Sequence, residues 1–440
     1  MRDAHAPPSS TTARSIFTPA FFVANGVHLV ALTANALFIL LPLYLKQTGL
    51  ADWEMGAVMS GYAVAAVVSR PFLGHPMDEW GRKPFILGGL IMSCASALGL
   101  LGLSQTPFAH APLPLALLRF TLGAGVSAYF TAMVTWMADQ APPQRLAEVM
   151  GIFGLSGLVT MATGSTAATF VVEHSGFAGL FAAAAVGFAL AAALALRFDA
   201  APPAEAAARV TPPDATPGQD ASPLTVAEPT PEAAETRRSG VRESLTAFRV
   251  TASKRAMHGP MLAFFMFGAN SSALGTFIAP FLKSVLSDTH AVAAFFAQYT
   301  LSAAVVRLTA GRVIDRLGHA TLVAPALLSL GVGIGLLALT ATTATALPWP
   351  TLASLGLGLG HGVIYPSVTA LTITRVSARE RGKATSAITS SGDLGGIVGA
   401  VAFGAVATAF GYRTMFIATG ACVALSALVF LLLERKTSRA

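Results

Sequence analysis

The sequence predicts an all-α integral membrane protein whose twelve transmembrane helices form two pseudo-symmetric halves of six. Three observations predict it. The first is composition: 54% of the 440 residues are hydrophobic and only 11% are charged, against about 25% charged in a soluble domain. The second is a set of twelve apolar runs, each long enough for the roughly 20 helical residues that cross a hydrocarbon core. The third is internal repetition. At a separation of 237 positions Lys46 falls on Lys283, Tyr62 on Tyr299, Arg70 on Arg307, Gly74 on Gly311, Asp78 on Asp315 and Gly81 on Gly318. At 236 positions Tyr129 falls on Tyr365 and Arg145 on Arg381. Repetition at half the chain length means two like halves.

The runs cover 17–45, 54–75, 84–104, 111–136, 147–173, 177–197, 259–284, 290–312, 320–341, 348–372, 382–410 and 412–433. Backbone groups in lipid must be satisfied within the segment, so each run is expected to be helical. The divisions that follow are a tail (1–16), a six-helix half (17–197), a linker (198–258), a second half (259–433) and a tail (434–440). An even number of spans puts both tails on one side. Nearly all Lys and Arg fall on that side, the exceptions being Lys46, Lys283, Arg413 and the intrahelical Arg119. The positive-inside rule then makes that side cytoplasmic, in a cell (inner) membrane. It also explains the net charge of +7 without nucleic acid. Cys94 and Cys422 lie in apolar runs and suggest no disulfide framework. No cleavable signal peptide is expected, because the first apolar run is long enough to span.

The linker begins Ala/Pro-rich, from Ala201 to Pro231, with few large apolar residues, a composition that favours disorder. Its end differs. Val241, Leu245 and Phe248 fall at helical spacing among Arg242, Arg249, Lys254 and Arg255, as in a helix lying on anionic headgroups. Glycines crowd the fifth run (Gly151, Gly154, Gly157, Gly164), the tenth (Gly356, Gly358, Gly360, Gly362) and the eleventh (Gly392, Gly395, Gly396, Gly399). Small residues at this spacing let helix backbones approach closely.

Between the second and third runs stands a charged segment, Gly74-x-x-x-Asp78-x-x-Gly81-Arg82-Lys83, read as a glycine-bounded turn. It resembles the loop 2–3 signature of the major facilitator superfamily, and the weaker copy at Gly311, Asp315 and Gly318 sits where that family repeats it. The resemblance runs from about residue 17 to 433 apart from the linker, and implies a secondary transporter. In the family this aspartate meets the start of helix 11, here near Gly382–Thr385, and holds the cytoplasmic side shut; Arg82, Lys83 and Arg145 are placed to share that network. Pro76 stands where the family usually has leucine. Arg119-x-x-x-Gly123-x-Gly125 in the fourth run resembles a second motif, associated with proton-coupled members.

Interior polar residues are the candidate binding groups. Asn25, His28 and Asn35 share a stripe of the first run, and His361, Tyr365 and Thr369 a stripe of the tenth. Helices 1, 4, 7 and 10 line the central cavity in the family, which implies that both stripes face it, with Asn270 in the seventh run of the same kind. Arg119 lies either against that cavity or near enough to the outer end to reach the interface. Asp393 is the deepest acid, about twelve residues into the eleventh run, and its repeat counterpart in the fifth is uncharged. Removing a carboxylate's charge from water is costly unless a proton or cation neutralises it, so an intramembrane Asp is a functional-site candidate by default. A structural hydrogen bond between helices is the alternative.

The expectation is a proton-coupled secondary transporter of a small organic solute, an exporter rather than an importer, monomeric, with no cofactor, its partners being solute, protons and lipid. The fifth run lacks the Gly-Pro pair of many drug/proton antiporters of the family, which keeps direction open. A proton symporter importing an organic anion is one alternative. Another is a copper importer, suggested by Met257-x-x-x-Met261 and Met266, but the His-x-x-x-Met expected in the eighth run is absent, since Ala294 follows His290 at that spacing. No nucleotide-binding loop, zinc motif or nucleophile–base pair supports an enzyme. The disordered reading of the linker predicts that, in sealed membranes, protease cuts between 205 and 235 only from the side that carries the termini. Cleavage from the other side in right-side-out vesicles would overturn the orientation.

Overall fold

The computed structural model describes residues 18–140, 146–197, 253–286, 290–309, 318–340, 348–376 and 381–437. The candidate interfacial helix, Arg145, Gly311 and Asp315 lie outside the described residues. The first helix, α1, spans Pro19–Gln47. It is followed by α2 (Asp52–Trp80), α3 (Lys83–Ser104) and α4 (Pro112–Gln140). The helix Leu146–Leu196 breaks at Gly176 (φ 63°) into α5 (146–175) and α6 (177–196). Then come α7 (Arg255–Leu286), α8 (His290–Thr309), α9 (His319–Thr340) and α10 (Pro348–Thr374). Arg381–Thr437 breaks at Gly411 (φ 79°) into α11 (381–410) and α12 (412–437). Most of these are apolar and long enough to cross a membrane; α2 and α10, which carry more polar and small residues, are long but less apolar. The protein is an integral membrane protein.

Local chemistry sets the ends and bends. Thr18 caps α1 by accepting from the Phe21 amide at 3.2 Å, with Pro19 in the first turn. Pro42 lacks an N–H, and α1 tightens into a 3₁₀ stretch over Leu37–Leu40 just before it. In α2 the Glu54 carboxylate accepts from the Ala51 amide at 2.9 Å, and Asp52 adds a second negative charge to the first turn, where the helix dipole favours it. The segment from Gly74 is not a turn. The last turns of α2 run through it to Trp80, and the reversal is made by Gly81 alone (φ 78°). A helical glycine costs only about 1 kcal/mol relative to alanine, so Gly74 does not stop a helix already begun. Gly318 repeats the positive φ at 84°, so both copies of the motif turn at their last glycine.

Packing repeats with the sequence. In the first half α1 packs on the α5–α6 pair, α2 and α3 on α4, and α3 on the α5–α6 pair; in the second, α7 packs on the α11–α12 pair, α8 and α9 on α10, and α9 on the α11–α12 pair. The closest approaches match as well. A Cβ on Gly123 would lie 2.4 Å from the Tyr62 carbonyl oxygen, and one on Gly358 would lie 2.4 Å from that of Tyr299.

The halves meet through α2 against α11 and α5 against α8. We call the end bearing the termini the terminal face and the opposite end the distal face. At the distal face Asp52 Oδ1 accepts from Lys46 Nζ at 2.7 Å and from the Tyr412 hydroxyl at 2.6 Å, tying α1, α2 and α12 together. The Trp53 amide donates to Thr408 at 3.1 Å, and His290 lies 3.3 Å from Glu173. Residues 40–45 of α1 and 276–282 of α7 are buried on every side. The α1–α7 contact is made by Leu37–Gln47 rather than the longer Pro19–Ala36 stretch. The distal face is therefore closed.

A Cβ on Gly56 would stand 2.1 Å from the Ala400 carbonyl oxygen across the half–half contact. Gly56→Ala is therefore expected to shift the ensemble toward a distal-open state, read as longer spin-label distances across that face. Gly123→Ala clashes within one half and is expected to lower thermal stability by about 1–3 kcal/mol without that shift. Unchanged distances in Gly56→Ala would mean the contact does not govern closure.

Candidate functional site

Three clusters in the described interior are built around an arginine. The central one joins the halves: Arg70 of α2 donates through Nη1 to Asp393 Oδ2 of α11. Its side chains are 40% and 22% exposed. The pair is therefore only half-buried, twelve residues into α11 and on the terminal side of the closed distal face.

The second cluster belongs to the first half. The Arg119 guanidinium lies 4.7 Å from the centre of the Tyr62 ring and 5.9 Å from that of Phe38. It points into the bundle instead of out to the interface. Buried Arg119 Nε and Nη1 and Asn35 Oδ1 have no hydrogen-bond partner. Cation–π contact holds the charge but leaves in-plane N–H donors free.

The third cluster is the counterpart in the second half. The Tyr299 hydroxyl bonds His361 Nδ1. Arg307 lies 5.9 Å from the centre of the Tyr365 ring, with its buried Nε unpaired. Phe267 stands 4.9 Å from the His361 ring and Phe264 5.5 Å from Tyr365. Glycine makes both arrangements possible: the contacts of Gly123 and Gly358 bring α4 against α2 and α10 against α8, so that side chains flanking each seam meet. Around Asp393, a Cβ on Gly392 would lie 2.7 Å from the Phe264 ring and one on Gly395 would lie 1.9 Å from the Phe265 carbonyl oxygen. These glycines seat α11 on α7.

The other candidates are placed as follows. His28 is buried among aromatic rings of its own half, stacked on Phe153 at 3.9 Å and near Phe130 and Tyr129. Its ring packs among them, and its buried Nδ1 has no hydrogen-bond partner. Asn25 donates to the Phe21 carbonyl of its own helix at 2.9 Å. Asn270 is buried in α7 with Oδ1 unpaired. Tyr365 is 47% exposed. Met257 is fully buried in the core, and Met261 packs against it.

In the charged motif, Arg82 donates to the Met77 carbonyl at 2.9 Å and pairs with Asp139 at 3.2 Å, and Lys83 donates to the Leu196 carbonyl at 3.1 Å. These contacts staple the terminal ends of α2, α4 and α6 within one half. The side chain of Asp78 lies outside the described residues. Sequence reasoning passed over Tyr62, Arg70, Tyr299 and Arg307 as site residues. The repeat register had already singled them out, since all four belong to pairs that coincide at 237 positions.

Two six-helix halves, related by repetition and joined at a charged mid-depth contact, define a class of polytopic membrane protein. The chain belongs to the Major Facilitator Superfamily, whose family model matches residues 23–399 and 260–440. Among curated proteins it is similar to an uncharacterized MFS-type transporter, YwoD, of Bacillus subtilis: 26% identical, over 39% of this chain and 36% of that one. It is 28% identical to a D-xylose transporter of Levilactobacillus brevis, over 25% of this chain and 23% of the other. With the quinolone resistance protein NorA of Staphylococcus aureus it shares 27% identity, over 30% of this chain and 32% of the other. The matches therefore span between 23% and 36% of these relatives' lengths. Among solved structures, the nucleoside transporter NupG superposes with a TM-score of 0.73 at 16% identity, over 95% of this chain and 99% of that one. A bacterial homolog of the human lysosomal transporter Spinster, inward-facing and unoccupied, superposes with a TM-score of 0.70 at 13% identity, over 94% and 96%. These likenesses are of fold.

The central pair predicts non-additive mutations. Arg70→Gln and Asp393→Asn are each expected to destabilise more than their combination, with a coupling of about 1 kcal/mol for a partly hydrated pair. Thermal unfolding of the four proteins measures it, and strict additivity would mean the pair contributes nothing.

Proposed function

We propose that the protein is a proton-coupled secondary active transporter of a small organic solute, working by alternating access, with the terminal face cytoplasmic and export the favoured direction. The observation that carries the reading is the Arg70–Asp393 pair, formed across the two halves with both side chains partly exposed. Alternating access needs a group whose occupancy the two states treat differently. Ionised Asp393 ties α11 to α2. A proton on Asp393 removes the charge that Arg70 holds, and α11 is then free to separate from α2 as the halves rock.

The distal closure by Asp52, Lys46 and Tyr412 fits a resting state open to the cytoplasm. The family membership supports transport over enzymatic turnover. A relative named as a multi-drug resistance efflux pump, the PmrA homolog of Lactococcus lactis, supports export, and the relative named as a D-xylose transporter keeps other solutes and directions in competition.

Asp393→Asn keeps the shape of the site while fixing it neutral. It is expected to abolish pH-gradient-driven accumulation in proteoliposomes and to leave solute counterflow without a gradient largely intact. Accumulation by the Asn variant at near wild-type rates would make Asp393 structural and place the proton elsewhere.

A further inference from the structure

The internal repeat is broken at one chemically decisive place. Arg70 in α2 and Arg307 in α8 occupy the same repeat position, and each helix faces the other half, α2 against α11 and α8 against α5. Arg70 finds a carboxylate there, Asp393. In the α5–α11 register, Gly157 falls on Gly392, Gly164 on Gly399 and the break at Gly176 on the break at Gly411. The same register puts Leu158 where α11 has Asp393. Among the described residues, the α5–α8 seam has the guanidinium and no carboxylate paired with it.

What surrounds the vacancy is suited to a ligand. Arg307 keeps a buried N–H without a partner and rests over Tyr365. Phe264 and Phe267 form aromatic contacts with Tyr365 and His361. On α5, a Cβ added at Gly154 or Gly157 would meet nothing within 4 Å, so that wall stands back from its neighbours. Deeper toward the distal face, Arg119 adds a second guanidinium with free donors. Between the ion clusters at the two faces, the described interior sets three guanidiniums, Arg70, Arg119 and Arg307, against the one carboxylate of Asp393. An uncompensated charge in a low-dielectric interior is costly, and two remain uncompensated here. A cationic solute would add to that cost, and an anion relieves it.

We infer that the transported solute is a small organic anion whose carboxylate or equivalent group binds Arg307 in the place Asp393 fills at Arg70, with its apolar body against Phe264, Phe267 and Tyr365. The inference names the substrate class of the transport reading and rests on it. Occupancy by the solute at one seam and by Asp393 at the other gives the two halves matching ionic contacts only when the solute is bound. Loading then alters the balance between the seams, as coupling requires.

The test is an equilibrium one, made without a proton gradient on the purified full chain, with benzoate, its neutral and cationic counterparts benzamide and benzylamine, and inorganic phosphate as probes in a thermal-unfolding titration. Benzoate is expected to raise the melting temperature saturably, and the other three to leave it unchanged. Arg307→Gln is expected to weaken benzoate about tenfold or more, the loss of a charge-assisted hydrogen bond. Leu158→Asp, which places a carboxylate at the register position of Asp393, is expected to weaken it as much while leaving Arg307 in place. Monodisperse elution and the unliganded melting temperature establish that each variant is folded. Arg307→Lys, keeping charge but not the fork, takes the place of Arg307→Gln if that variant fails, with weakening of severalfold expected. Benzamide, benzylamine or phosphate acting as strongly as benzoate, no benzoate response, or wild-type benzoate affinity in the folded variants would each overturn the inference. Such a failure beside an intact Asp393-dependent flux removes only the substrate class. Benzoate binding beside flux indifferent to Asp393 removes only the proposed coupling.

Discussion

The contact between Arg70 and Asp393 is the constraint around which the rest is arranged. A carboxylate at mid-depth cannot stay ionised without a cation, and this one's cation comes from the opposite half. Each six-helix bundle has its own glycine-mediated seams and its own staples at the terminal face, such as Lys83 to Leu196 in the first and Arg375 to Glu434 in the second. A charge pair between two such bodies can be both made and broken as its charge state changes. Hydrophobic contact alone offers no such control in lipid, where apolar surface is as well solvated by acyl chains as by protein.

Glycine does the complementary work. At Gly268 and Gly392 a side chain would collide with the opposing backbone, with a Cβ on Gly268 only 1.9 Å from the Gly392 carbonyl oxygen. Backbones so close leave little room for sliding, and α7 and α11 move as one piece. The glycines of α5 divide between two uses: a Cβ on Gly164 would lie 2.3 Å from that of Ala36, whereas Gly154 and Gly157 face open space. The same residue type therefore serves tight packing at some positions and clearance at others. Sequence spacing alone could not separate these uses, because both require only the absence of a Cβ.

The architecture was legible because lipid imposes a coarse rule that composition reveals directly. Run boundaries at 173/177 and 410/412 straddled the breaks at Gly176 and Gly411, since a positive-φ glycine and a pause in hydropathy coincide there. The second helix was misjudged at its end for the converse reason: Gly74 and the charges after it look like a loop, but past the membrane surface a helix needs no hydrophobicity to continue. The interior was only half legible. Asp393 announced itself by cost. Its partner did not, because Arg70, ten residues from the end of α2, reads as one more positive-inside charge. His28 was legible only as to its helix face. Its spacing with Asn25 and Asn35 described a stripe faithfully, but whether a stripe faces a cavity or a neighbour's aromatic rings depends on helix rotation, which tertiary packing sets.

The departures from symmetry matter more than the symmetry. Duplicated halves begin with identical seams, and identical seams would resist opening equally on both sides of the axis. Here the α2–α11 side carries polar links at two depths, Asp52 with Lys46 and Tyr412 at the distal face and Arg70 with Asp393 below. The α5–α8 side carries Glu173 with His290 at its distal edge and, lower down, Leu158 in the register of Asp393. A rocking motion must break ionic contacts along the first seam, whereas the second can yield by apolar contacts exchanging with solute or lipid. The polar links are thus concentrated on one side of the pseudo-two-fold axis. In the proposed cycle that asymmetry separates proton handling at Asp393 from solute handling at Arg307, with Leu158 at the register position of Asp393.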